Sequence, residues 1–382
     1  MVDSGGFLRC RVRYPAAMRT AASFVVLLLF AAGPAAADGP YVMRDGAGFQ
    51  ALSVEAAAGE PRKRVLTLDP GASITVNAVG DVPAFAVKLR EAAKPAPDEI
   101  RITGKAPLFV VADTHGEYEI LVAMLRKQGV VDEQLGWKYG RGHLVVLGDV
   151  FDRGPRHTEI LWLLYRLEAD ARRAGGGVHL LLGNHETMVL LGDLRYLNPL
   201  YVQSAEVLGV GSYSELFGNS SVLGQWLRTL PTVLKINDLL CLHAGISRAL
   251  LDSGLSLHDI NTGVRALLEA SAPTDAAQRG ELLLGTLGPL WYRGYFAEQS
   301  QFPTATMEDV DRTLKTFGVH RILIGHTIVS TITPLYEAKV IAVQVYPRRD
   351  DGGHASFESL VVKRDGFWRA KLDGTAERLV AK

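Results

Sequence analysis

Leu144-Val145-Val146-Leu147-Gly148-Asp149-Val150-Phe151-Asp152-Arg153-Gly154 runs four apolar residues straight into a glycine-bounded turn carrying two aspartates and an arginine. The apolar part suits a strand buried on both faces, as in a sheet covered on each side. The polar part then falls at the strand's C-terminal end, where sheets of this kind bind ligands. An Asp–Arg pair in a glycine turn could be purely structural. The company it keeps decides otherwise.

The same arrangement recurs along the chain. Leu108-Phe109-Val110-Val111 leads to Asp113-Thr114-His115-Gly116, and His179-Leu180-Leu181-Leu182 leads to Gly183-Asn184-His185-Glu186. Leu239-Leu240-Cys241-Leu242 leads to His243-Ala244-Gly245, and Arg321-Ile322-Leu323-Ile324 leads to Gly325-His326-Thr327. Helical patterns, such as Glu119 to Gln128 and Thr158 to Arg173, lie between several of these runs. Such alternation predicts an α/β fold, a layered β-sheet sandwich flanked by helices. Leu190 to Val233 and Ser247 to Gly288 read as insertions that wall the site.

The residue types point to hard or borderline divalent cations. Asp149 supplies carboxylate oxygens able to bridge two ions, and Asn184 adds a neutral carbonyl oxygen. Asp113 and His115 can reach one ion only if a turn ends their strand, which Gly116 makes possible. His243 and His326 alone would each read as an ordinary satisfied histidine; beside the other motifs they complete a metal set. Arg153 offers a planar fork of donors to phosphate oxygens. His185 can protonate a leaving oxygen, with Asp152 free to orient it. Arg293, in Leu290-Trp291-Tyr292-Arg293-Gly294-Tyr295, is a second candidate phosphate clamp. His143, His157, His179, His258, His320 and His354 have no comparable setting. The expected reaction is in-line attack on phosphorus by a hydroxide generated between two cations. Carboxylate, imidazole and amide ligands suit Mn, Fe or Zn, with Mn favoured.

These motifs resemble those of the calcineurin-like metallophosphoesterases and, within them, the phosphoprotein phosphatases, over about Leu108 to Val329. The resemblance implies a metallophosphoesterase-like fold. It implies metal ligation by Asp113, His115, Asp149, Asn184, His243 and His326, with His185 as general acid and Arg153 on the phosphate. The Trp291 to Tyr295 segment is similar to the Shewanella-like branch. Ala112 stands where many members have Gly, and His243-Ala244-Gly245-Ile246-Ser247 replaces a more usual His-Gly-Gly-Leu-Ser; both keep small residues. The expected substrate is a phosphorylated protein or a small phosphomonoester. A nucleotide or dinucleoside polyphosphate hydrolase and a non-catalytic phosphate-binding protein are the competing expectations.

The remaining sequence sets the frame. The chain has 382 residues, with 41 basic and 41 acidic side chains and 48% hydrophobic content. That is ample for a large core. Arg9, Arg11, Arg13 and Arg19 precede an apolar run from Ala21 to Ala32 and the small residues Gly33-Pro34-Ala35-Ala36-Ala37. This predicts a signal peptide over 1–37, cut before Asp38, with Met1 or Met18 as the start. The run makes roughly 18 Å of helix against a ~30 Å hydrocarbon core, so a membrane anchor is the lesser alternative and no stable membrane insertion is expected. Cleavage would take the charge balance to 37 basic against 40 acidic residues. Nothing in that balance calls for nucleic acid. Cys241 would be the mature protein's one cysteine, which excludes an intrachain disulfide. The expected location is periplasmic or secreted. Residues 38–105 read as a small β-rich segment and 106–382 as the metallophosphoesterase domain. Within the former, Val65-Leu66-Thr67-Leu68 and Ser73-Ile74-Thr75-Val76 flank Asp69-Pro70-Gly71 as a hairpin would, and Ala92 to Asp98 reads as a linker.

Overall fold

The computed structural model describes residues 36–57, 60–91, 94–269, 276–296 and 301–381. The expected leader, 1–37, lies outside these residues except for Ala36 and Ala37, which open the first strand.

Two six-stranded sheets carry the fold. One contains β7 (Leu108–Val111), β8 (His143–Val146) and β9 (Gly177–Leu180) in parallel, continued by β17 (Glu358–Lys363), β18 (Gly366–Lys371) and β19 (Ala376–Ala381), in the order β19-β18-β17-β7-β8-β9. The other is built on β10 (Val233–Ile236), β11 (Leu239–Leu242) and β12 (Arg321–Ile324). β6 (Glu99–Ile100), β13 (Thr333–Leu335) and β14 (Val340–Ala342) complete it in the order β13-β14-β12-β11-β10-β6. Strands β11, β12 and β14 are parallel to one another.

The period-2 pattern explains why the core runs are apolar throughout. Leu108, Val110, Val145, Leu147, Leu181, Leu239, Cys241, Leu323 and Ile341 share one buried cluster, the layer between the sheets. The alternate residues Phe109, Val111, Leu144, Val146, Leu240, Leu242, Ile322 and Ile324 belong to a second cluster, shared with Leu121, Leu125, Ile160 and Leu164 of the covering helices. Each strand is therefore covered on both faces, which only apolar residues at every position can satisfy. This is the expected helix-flanked sandwich. The helices Tyr118–Lys127 and His157–Arg173 follow the predicted ones within two residues. β9 ends two residues earlier than the apolar run suggests, because the Leu182 amide turns away to Pro231 O (2.9 Å).

The N-terminal part departs from its expected hairpin. Glu60–Leu68 (β3) pairs with Gly48–Ala57 (β2), which pairs in turn with Ala36–Asp45 (β1). Ser73–Val76 (β4) pairs instead with Phe85–Lys88 (β5). The Asp69-Pro70-Gly71 turn thus separates two small sheets and does not join one. Its flanks misled because Val65 and Leu66 are exposed, at 46% and 42%, so their apolarity reports no shared buried face with β4. The strands nonetheless enter the main core: Tyr41 packs edge-on against Tyr213 and Phe217. The expected linker is also held down, through Ala96 N to Thr229 O (2.9 Å) and Asn261 Nδ2 to Asp98 Oδ1 (2.8 Å). The described residues form one compact unit. Among the described residues, no helix is long and apolar enough to cross a membrane.

Candidate metal centre

The C-terminal ends of β7, β8 and β9 converge with those of β11 and β12, and Asp113, His115, Asp149, Asp152, Asn184, His185, His243 and His326 meet at that junction. Backbone conformation does the aiming. His115, Asp149, Asp152, Arg153 and His326 all have positive φ, between 42° and 68°. Such φ values are uncommon outside glycine, and backbone strain of this kind gathers at functional sites. His115 together with Gly116 (φ 73°) supplies the turn that lets Asp113 and His115 face the same place. Two of these loops touch: a Cβ on Gly154 would lie 2.3 Å from His115 O, so only glycine fits.

Asp149 is the centre of the arrangement. Its Oδ2 lies 3.2 Å from His243 Nε2, 3.7 Å from His115 Nε2 and 3.8 Å from His185 Nε2. Asp113 stands 3.9 Å from both His115 Nε2 and His243 Nδ1. Asn184 Oδ1 and His326 Nδ1 approach His243 Nε2 at 2.9 and 3.1 Å. Two groups result, His115–Asp149–His185 and Asp149–His243–His326, each with its ligand atoms within 4.8 Å of one another and Asp149 common to both.

These residues fit cations better than they fit each other. His115 Nε2 and His326 Nε2 are buried with no hydrogen-bond partner, a costly state for imidazole nitrogens unless something binds them. His243 Nε2 faces three acceptor-capable atoms that one N–H cannot serve. The outward-facing nitrogens are fixed by backbone carbonyls, His115 Nδ1 donating to Phe151 O (2.8 Å) and His243 Nδ1 to Leu147 O (2.7 Å). That leaves Nε2 of each aimed inward, the usual second-shell device of metal-binding histidines.

The electrostatics diverge within a few ångströms. Burial, opposed by His243 and reinforced by Asp149, pushes Asp113 up to about 6. Burial also acts to raise Asp149, but His243 and His185 outweigh it and hold that carboxyl well below its usual range. Burial pushes His115 down to about 3, whereas Asp149 and Asp113 overcome burial at His243 and raise it to about 9. At His185 burial is likewise overcome, by Asp149 and Asp152, and the imidazole is raised.

His185 belongs to one metal-compatible group, yet its Nδ1 is committed to Asp152 Oδ2 at 2.5 Å, leaving Nε2 toward the junction. Arg153 is exposed on the rim, its guanidinium 5.9 Å from the Tyr346 ring. Arg293 is half-buried, within the field of Asp113 and Asp149, and burial lowers it.

Sequence reading passed over four contributors. Glu186 is fully buried and accepts from Gly183 N (2.7 Å), Asp149 N (2.8 Å) and Val150 N (2.7 Å), pinning the second and third motif loops together. Only its place in the Gly-Asn-His-Glu motif could have signalled it. Tyr196 stands 5.3 Å from the His185 ring, Tyr346 5.8 Å from His115, and Trp291 edge-on 5.8 Å from His326. These three form an aromatic collar drawn from separate segments. Of them, only Trp291 lay in a quoted motif.

Fold and site together define a calcineurin-like phosphoesterase: the model of that family matches residues 106–330, and the chain belongs to it. Within that class its similarity runs to the Shewanella-like phosphatases. It is 28% identical over 233 residues to Shewanella-like protein phosphatase 1 of Plasmodium berghei, covering 60% of this chain and 63% of that protein, less than two thirds of its length. It is 38% identical over 100 residues to Shewanella-like protein phosphatase 2 of Arabidopsis thaliana, 26% of each chain. The solved cold-active protein-tyrosine phosphatase of a psychrophilic Shewanella superposes with a TM-score of 0.78 at 35% identity, covering 90% of this chain and 99% of that one.

Proposed function

We propose that this chain is a dinuclear, metal-dependent phosphomonoesterase acting on phosphoproteins, with phosphotyrosine favoured. The observation that carries it is the pair of buried His/Asp groups sharing Asp149. Asp113, His115, Asp149, Asn184, His243 and His326 would hold the two cations, manganese by preference. What bound cations supply is water acidified toward neutral pH and positive charge beside the phosphate. Arg153 and Arg293 bind and orient the phosphate oxygens from the rim, neutralising the charge that grows on them. His185, held by Asp152 through Nδ1, carries the proton on Nε2 that goes to the departing ester oxygen. Glu186 keeps the Asp149 and Asn184 loops in register. The collar of Tyr196, Tyr346 and Trp291 suits a flat aromatic leaving group, and the Shewanella neighbour is described as a tyrosine phosphatase.

Rates on phosphotyrosyl peptide, phosphoseryl peptide, p-nitrophenyl phosphate and diadenosine tetraphosphate, with Mn²⁺, Fe²⁺ or Zn²⁺ added, test this. The phosphotyrosyl peptide with Mn²⁺ is expected to lead, and His185→Asn to lose about 10²–10⁴-fold. A preference for the dinucleotide would overturn the reading.

The arginine-flanked apolar run before Asp38 supports export to the periplasm or beyond. N-terminal sequencing of the protein from its cell should begin at Asp38; an intact Met1 or Met18 start would count against a cleaved signal peptide and favour the retained anchor.

A further inference from the structure

A groove of about 640 Å³ opens beside the metal centre, bordered by three elements that hold none of the candidate ligands. They are the Ile328 to Ser330 loop after His326, the short hairpin β15–β16 (Arg348–Arg349 and Ala355–Ser356) and the turn Lys371 to Asp373. Buried Val345 and Phe357 and half-buried Leu372 line it. Ile328, 58% exposed, lines it with them. A single exposed apolar residue is ordinary, but this one lines a groove together with Val345, Phe357 and Leu372.

Two observations tie the groove to the reaction. Tyr346 lines it and also stands against His115 and beneath the Arg153 guanidinium, so groove and phosphate position share a wall. The charges of the groove are unevenly spent. Glu358 is taken by Thr331, the Ile332 amide and Arg369, Asp373 by Thr375, and Lys371 by Glu377. Arg348, exposed at the mouth, has no side-chain hydrogen bond or ion pair among the described residues. The unspent charge is positive.

We propose that this groove binds the residues flanking the phosphorylated side chain of a polypeptide substrate, with an apolar residue against Ile328 and Leu372 and an acidic one at Arg348. This rests on the phosphatase reading above and sharpens it from a phosphate ester to a peptide with a preferred flank. An extended peptide advances ~3.3 Å per residue, so the residues next to the phosphorylated one are those that pass Tyr346. A small aryl phosphate has nothing to place there.

The test compares kcat and KM of wild type, Arg348→Glu and Ile328→Ser on p-nitrophenyl phosphate and on two phosphotyrosyl peptides, one with acidic and apolar flanks and one with lysine flanks. Arg348→Glu should raise KM for the acidic peptide about fivefold, as expected for reversing one exposed charge pair. It should lower KM for the lysine peptide and leave both constants for p-nitrophenyl phosphate unchanged. Ile328→Ser should raise KM for the acidic peptide alone. Arg348 is a surface side chain, so its replacement keeps the test valid if Ile328→Ser folds poorly. Unchanged peptide constants in both variants, or equal losses on all three substrates, would overturn the groove while leaving the phosphatase reading intact. A wild type inactive on all three after metal reconstitution would sink both.

Discussion

Two buried polar clusters, one of aspartate, histidine and asparagine and the other of tyrosines with Asp38 and His157, are built on different logic. At the metal centre the polar atoms crowd without satisfying one another. In the second cluster most of them pair off. There Tyr41 Oη donates to Asp38 Oδ2 (2.7 Å), Tyr213 Oη lies 2.6 Å from His157 Nε2, and the His157 amide donates to Tyr201 Oη (2.9 Å), while His157 Nδ1 is left without a partner. The His157 ring stacks on Tyr201 with centroids 3.8 Å apart. Burial holds His157 well below its ordinary pKa, so it stays neutral. Its residues keep ordinary backbone conformations, whereas five at the metal centre have positive φ. What distinguishes the site from a core is convergence: carboxylate oxygens and ring nitrogens from several loops gather within 4.8 Å of one another around Asp149.

The sharpest way to break this comparison is Asp149→Asn. Removing the charge common to both groups should cut kcat/KM on p-nitrophenyl phosphate by about 10³-fold or more. Metal analysis should show fewer than two ions per chain. Two ions retained with full rate would mean that Asp149 is not the shared ligand. In the second cluster, His157→Phe keeps the stacked ring and deletes its nitrogens. The expected cost is about 1–3 kcal/mol in denaturant unfolding, because Tyr213 Oη loses a buried partner. kcat/KM of the folded protein should stay unchanged; a fall in rate without a fall in stability would show that the two clusters act as one.

A smaller effect should appear in the pH dependence of stability. Glu159, at the edge of the second cluster, is raised to about 7, chiefly by burial and against the pull of Arg156. The folded state therefore holds this proton more tightly than the unfolded chain does. Its contribution is complete below the unfolded value near 4.5 and is lost as pH rises to about 7, on the order of 3 kcal/mol. Glu159→Gln should flatten that part of the stability profile. An unchanged slope would assign it elsewhere.

Much of this was legible in the sequence. Runs such as Leu108-Phe109-Val110-Val111 must be strands covered on both faces, and each ends on a residue too polar to continue the core, so sheet and site were read from the same punctuation. What escaped lacked a local signal. Tyr196 and Tyr346 reach the centre from segments with no recurring spacing, and Glu186 works through backbone amides that sequence does not display. The hairpin expected across Asp69-Pro70-Gly71 failed because a turn signal fixes where a chain bends, not which strand it then pairs with. The long β2–β3 pairing had no comparable marker.

The candidate ligands come from both sheets and are strung from Asp113 to His326. No partial chain ending before β12 can assemble the centre, however well its first sheet has formed. If these residues hold the cations, the His115–Asp149–His185 group needs only the first sheet, whereas the Asp149–His243–His326 group waits until the second sheet is in place.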